Sequence, residues 1–158
     1  MRVQFLLNIL LAVIWVFLTG TINATNFVFG FILTYLVLWL ISSNEEKRKY
    51  FVIIPRLISF FFYFLYELIK ANLQVAADVI TPKFYMEPGI IRYPLDAKTD
   101  LEITLLANVI TLTPGTLSLD VSDDRKVLYI HAMYVHDKQE FIDSIKNGFE
   151  KRILKIVR

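Results

Sequence analysis

The stretch Arg56–Thr81, RLISFFFYFLYELIKANLQVAADVIT, decides how the rest of the chain is read. Placed at 100° per residue, Arg56, Ser59, Tyr63, Glu67, Lys70, Gln74, Asp78 and Thr81 step by three or four and fall on one narrow stripe. Around the remainder stand Leu57, Ile58, Phe60, Phe61, Phe62, Phe64, Leu65, Leu68, Ile69, Leu73, Val75, Val79 and Ile80. Helical throughout, the segment is roughly 39 Å long at 1.5 Å per residue, with a polar edge along its whole length. Such a helix belongs at a boundary between an apolar medium and water or a polar partner.

The chain before this helix is almost pure hydrocarbon, and the chain after it reads as a small soluble domain. Of the 158 residues 56% are hydrophobic and 20% charged, but the charges are nearly absent before Glu45 and frequent after Lys83, so the average conceals a membrane half and a soluble half. Absence of cysteine excludes disulfides, thiol catalysis and thiolate metal sites. A net charge of +2 with no basic stripe gives no footprint for nucleic acid.

Val3 to Leu18 is interrupted only by Gln4 and Asn8, and Asn26 to Ile41 only by Asn26 and Thr34. With their flanks both approach the roughly 17 to 25 residues that cross a bilayer. The uncharged Thr19–Thr25 between them suits a turn, so a transmembrane hairpin is expected. A cleaved signal peptide fits poorly, because the first run is long for such a segment and lacks a small-residue cleavage site. Arg2 before the first span and Lys47, Arg48 and Lys49 after the second put both ends in the cytoplasm by the positive-inside rule. A third span over Val52 to Ile69 is the competing reading. Against it, the polar stripe runs on through Gln74 and Asp78 without change of phase, which favours a helix in the interface plane.

Beyond Pro82 and the Pro88-Gly89 turn, Gly89 to Leu95 reads as a short strand. Asp100 to Leu112 reads as a buried helix with Leu101, Leu105, Asn108 and Leu112 on one side, capped by Thr99 or Asp100 with Glu102 in its first turn. Thr113-Pro114-Gly115-Thr116 stops it, with Gly115 at a positive φ. A hairpin comes next: Leu117, Leu119 and Val121 alternate with Ser118 and Asp120, Ser122 to Arg125 turn, and Val127 to Met133 return with Leu128, Ile130 and Ala132 on one face. Asp137 with Glu140 opens a last helix whose apolar face is Ile142, Ile145, Phe149, Ile153 and Ile156, leaving Lys146, Glu150, Lys151 and Lys155 wet. The expected fold is a membrane α-helical hairpin plus an amphipathic interfacial helix, then a small α+β cytoplasmic domain ordered β-α-β-β-α. Its divisions are 1–42 hairpin, 43–55 charged linker, 56–81 connector helix and 82–158 soluble domain.

Little in the chain points to catalysis. His131 and His136 lack a metal spacing with a second histidine or a carboxylate, and Asp123 and Asp124 occupy a turn where Asp serves the backbone. Residues 112–116 have no phosphate-loop spacing. Glu67 and Lys70, three apart on one face, can pair with each other, and the two expected spans hold no charged residue for an ion path. No enzyme activity, cofactor or metal is expected, nor a small-molecule substrate for this chain alone.

Leu101–Leu117 (LEITLLANVITLTPGTL), Asp120–Asp124, Leu128–His131, Leu7-Asn8 with Trp15, Pro88–Ile90 and Ile145–Glu150 together resemble the E subunit of Mrp-type (Mnh/Pha) multisubunit Na+/H+ antiporters. Ile110–Thr116 is the specific part, and the resemblance runs the whole length. It implies a small accessory or assembly subunit of a cell-membrane complex that exchanges Na+ for protons, whose ion-translocating chains are larger. The partners it implies are the other antiporter subunits, with the lipid bilayer around them. Asn108, Thr111, Thr113, Pro114, Gly115 and Thr116 then form a candidate docking motif, beside the polar stripe Arg56, Glu67, Lys70, Gln74 and Asp78. Without the resemblance, the layout of anchor and head equally suits an independent membrane-tethered binding module.

Overall fold

A computed structural model describes residues 2–42, 45–82 and 86–158. The chain divides into two compact units, Met1–Pro55 and Arg56–Arg158.

In the first unit, α1 (Arg2–Thr19) and α2 (Ala24–Ile41) pack antiparallel across a tight turn. Asn23 caps α2 by accepting the Asn26 amide at 2.7 Å. The Asn26 side chain ties the turn to α1, accepting from Trp15 Nε1 at 3.1 Å and donating to Thr19 Oγ1 at 2.6 Å. A Cβ on Gly30 would lie 2.6 Å from Trp15 Cδ1, so glycine is what lets the indole seat against α2. Asn8, fully buried, accepts from the Thr34 hydroxyl and donates to Tyr50 Oη at 3.3 Å. Away from this seam the helices expose Leu6, Leu10, Phe17, Val28, Ile32 and Leu40.

The expected linker is helical from Glu45 onward, because α3 runs Glu45–Ile80 with Pro55 inside it. Its Ser43 and Asn44 lie outside the described residues. Residues 45–49 are good helix formers with no glycine or proline to stop them. By length and composition α2 and the Tyr50–Ile80 part of α3 suffice to cross a membrane, while Val3–Thr19 is a shorter apolar helix.

In the second unit, β1 (Gly89–Pro94), β2 (Thr116–Val121) and β3 (Val127–Ala132) form an antiparallel sheet of order β1-β3-β2. The register pairs Ile91 with Ile130 and Ser118 with Ile130, with a bulge between Ser118 and Asp120. Between β1 and β2 runs α4 (Asp100–Leu112), and after β3 come α5 (Lys138–Ile145), a π-turn (Lys146–Glu150) and α6 (Lys151–Val157). Tyr93, Leu106, Ile110, Leu128, Ile130, Ile145, Phe149 and Ile153 make the core.

Two sequence expectations fail here. Helix α4 buries Ile103, Leu106 and Ile110, and its Leu101, Leu105, Asn108 and Leu112 side is the exposed one. Both sides are apolar, and it is the isoleucine side that meets the sheet. Glu150, expected to be wet, is 1% exposed, because the π-turn adds a residue to one helical turn and rotates Gly148, Phe149 and Glu150 together into the core.

Helix α4 is pinned at its start. Thr99 and Glu102 form a reciprocal capping box, and Glu102 also takes the Lys98 amide at 2.8 Å. Arg158 closes on the same carboxylate with Nε and Nη2 at 2.9 and 3.0 Å. The Arg158 hydrogen bond, aided by the Lys98 and Thr99 amides, holds Glu102 down at about 2 from an ordinary 4.5, against the effect of burial. A folded-state value below the unfolded one means the stabilisation is full above pH 4.5 and is lost as pH falls toward 2. We expect about 3 kcal/mol to disappear over that window in chemical unfolding, and Glu102→Gln to flatten the dependence.

Candidate functional site

The polar stripe of α3 faces this chain's own α+β fold. Arg56 donates to the Lys155 carbonyl at one end. The Tyr63 ring meets Phe149 edge-on, centroids 5.4 Å apart, and carries the Arg152 guanidinium 4.0 Å above its face. Asp78, 8% exposed, accepts the Tyr134 hydroxyl at the other end. That bond, with some burial, pushes the Tyr134 phenol up to about 12.

Between these fastenings lies a cavity of about 200 Å³. Glu67, Lys70 and Gln74 line it from α3, Thr113–Thr116 from the loop after α4, and Tyr134, Ser144 and Phe149 from the opposite side. The structure thus brings together most of the two candidate sets. Asn108 stays apart, exposed on the outer face of α4, and Thr111 is spent elsewhere: its Oγ1 accepts the Ser118 amide of edge strand β2 at 3.2 Å. Gly115 adopts φ +86°, as its place in the turn requires, and its carbonyl takes the Met133 amide at 2.8 Å.

The wall hydroxyls are committed. Thr113 donates to the Val109 carbonyl at 3.1 Å, Thr116 to the Ile110 carbonyl, and Ser144 to the Phe141 carbonyl at 2.7 Å. Among the described residues there is no cluster of His, Asp or Glu able to hold a metal ion. His131 is half-buried on the outer sheet face between Ile90 and Leu117, and His136 is exposed beside Glu87 at 3.1 Å. Asp124 closes its turn by accepting from Ser122 Oγ at 2.7 Å. The site is built as a joint, with a carboxylate, an ammonium and an amide set in a hydroxyl-lined hollow.

Sequence reasoning missed Tyr134, Arg152 and above all Gly148. A Cβ on Gly148 would stand 2.3 Å from Tyr63 Oη and 3.2 Å from Cζ. A glycine inside an otherwise periodic helix was the available signal. Gly148→Ala should cost about 1–3 kcal/mol in thermal unfolding. The loss should largely disappear in a Tyr63→Phe background, where the nearest atom would be at 3.2 Å.

The sequence profile of a family described as a Na+/H+ ion antiporter subunit matches residues 8–156. The chain is 40% identical over 156 residues to the Na(+)/H(+) antiporter subunit E1 of Staphylococcus saprophyticus, covering 99% of this chain and 98% of the relative. It is 42% identical over the same length to that of Staphylococcus haemolyticus. Among solved structures, a chain of the Mrp complex from Dietzia sp. DQ12-45-1b superposes with a TM-score of 0.50 at 29% identity, covering 65% of this chain and 96% of that one. A chain of the membrane-bound sulfane sulfur reductase, an archaeal respiratory membrane complex, gives 0.55 at 30% identity, covering 95% and 96%.

Proposed function

This chain belongs to the family of Na+/H+ antiporter E subunits, and from that premise we propose that it is an accessory subunit, one that docks and assembles the membrane complex and leaves ion movement to its partners. The observation that carries this reading is the use of α3. Its polar stripe is fastened to the chain's own head at both ends, by Arg56 and Asp78, and lines a cavity with the head between them, while its apolar arc is left for something outside the chain. Nothing charged remains in α1 beyond Arg2 or anywhere in α2, so a proton or Na+ relay has no groups to use there. The partners in this reading are the other antiporter subunits.

The same observation supports an in-plane connector. The head packs along α3 from Arg56 to Asp78, a length of roughly 33 Å at 1.5 Å per residue. Were that stretch to cross the bilayer, Arg152, Asp78 and the sheet behind them would stand at hydrocarbon depth. Laid in the interface, the arc meets the acyl boundary and the head stays in water. Both termini then lie in the cytoplasm, on the side of Lys47, Arg48 and Lys49, and the hairpin of 1–42 is the anchor.

Deleting this chain while keeping its partners should abolish or sharply reduce Na+-driven proton movement in inverted membrane vesicles. Unchanged antiport at normal levels of the complex would sink the accessory reading.

A further inference from the structure

We propose that a basic groove beside α6 binds the phosphate of anionic phospholipids at the surface of the bilayer in which α3 lies. The proposal rests on the in-plane reading of α3 and adds a lipid class to it. The groove has a volume of about 520 Å³ and is lined by Lys146, Lys151, Lys155 and Arg158, with Leu154 as its apolar contribution.

Both carboxylates that reach it are occupied. Asp96 pairs with Lys146 at 3.1 Å. Glu150 is closed off by the Tyr93 hydroxyl at 2.6 Å and the Asp96 and Ala97 amides at 2.8 and 2.9 Å. Lys151 and Lys155 are exposed and have no acidic partner among the described residues. With Lys146 paired to Asp96 and Arg158 to Glu102, the surplus positive charge of the groove is that of Lys151 and Lys155, and with no aromatic ring in its lining it offers a nucleotide base nothing to stack on.

Position selects the ligand. Arg56 holds the Lys155 carbonyl and Arg152 lies on Tyr63, so α6 is strapped to the polar edge of α3. The other side of α3 is the exposed arc of Ile58, Phe61, Phe62, Leu65, Ile69 and Leu73. Once that arc enters the acyl boundary, the α6 cations come to the depth of headgroup phosphates, where basic side chains beside an anionic leaflet are attracted most. Phospholipid is then present at high effective concentration without a free anion having to be captured from solution.

The chain has no cysteine, so single reporters can be placed cleanly in the full-length protein. One environment-sensitive dye goes on Asn147→Cys, in the groove lining, and a second, in a separate variant, on Phe62→Cys in the arc. The protein is reconstituted in vesicles of phosphatidylcholine, of phosphatidylcholine with phosphatidylglycerol, and of phosphatidylcholine with inorganic phosphate in the buffer. The Asn147 reporter should respond to a headgroup-borne quencher only when phosphatidylglycerol is present, with an apparent affinity that drops about fivefold for each of Lys151→Gln and Lys155→Gln. An equal response in phosphatidylcholine, or one indifferent to both substitutions, overturns the assignment. A shift in the dye's own emission when inorganic phosphate is added to phosphatidylcholine vesicles, without headgroup quenching, assigns the groove to a soluble anion instead. The Phe62 reporter separates the two claims: shielding from a water-soluble quencher, with quenching by a nitroxide high on the acyl chain and none by one at the bilayer centre, supports the in-plane reading whatever the groove does. An accessible Phe62 reporter makes that reading fail, and the lipid proposal with it.

Discussion

Glu150→Ala should destabilise the α+β unit by about 3–5 kcal/mol, the largest single-site loss expected there. The carboxyl is 1% exposed and accepts from Tyr93 Oη, the Asp96 amide and the Ala97 amide. Truncation strands all three donors, and each buried donor left without a partner costs about 1–3 kcal/mol. Against a total stability of about 5–15 kcal/mol for a typical domain, that is about a fifth of the total or more. Tyr93 reports the same environment, since burial and then the Glu150 hydrogen bond drive its phenol well above the usual range. Glu150→Gln keeps one acceptor oxygen and should lose less. Chemical unfolding orders the three proteins, and faster hydrogen exchange at the Asp96 and Ala97 amides locates the damage. Equal stability of the alanine variant would mean that the π-turn relaxes and hands those amides to water.

Glu150 also marks where sequence reading reached its limit. The 3.6-residue period over Ile142, Ile145, Phe149 and Ile153 predicted the right apolar face, and all four are buried or half-buried. One π-turn within that run suffices to change the side of its neighbour, and no local propensity announces such a turn. Helix α4 failed for a different reason. With Leu101, Leu105 and Leu112 on one side and Ile103, Leu106 and Ile110 on the other, periodicity offers two apolar faces, and only the sheet decides between them. The turn chemistry was plainly legible: Thr99 and Glu102 form the capping box, Asp137 caps α5, and Gly115 takes the left-handed conformation. For the candidate site, the stripe of α3 and the Thr113–Thr116 loop were each visible. Their convergence on one cavity was not, because it brings together residues some forty positions apart in the chain, as Lys70 and Thr113 are.

Charging the apolar arc of α3 should have the largest effect on the complex. Phe61 and Phe62 are 59% and 63% exposed, with rings 5.7 Å apart, and they touch nothing the head needs. A Phe61→Asp, Phe62→Asp double variant should therefore leave the chain's own fold intact, by circular dichroism and thermal unfolding. Each substitution gives up about 1.5–3 kcal/mol of apolar burial and adds a carboxylate to a surface meant for lipid or an apolar partner. Together they should cost about 3–6 kcal/mol of attachment, on the order of a hundredfold to ten-thousandfold in occupancy. Co-purification with the partner subunits from native membranes should then fail, and Na+-driven proton movement in inverted vesicles should fall to the level of the deletion. The matched control is Phe61→Leu, Phe62→Leu, which keeps an apolar surface and should keep both. If the charged variant assembles and exchanges ions normally, the arc is neither a docking nor an interfacial surface. The fastening of Arg56 and Asp78 to the head would then need another explanation.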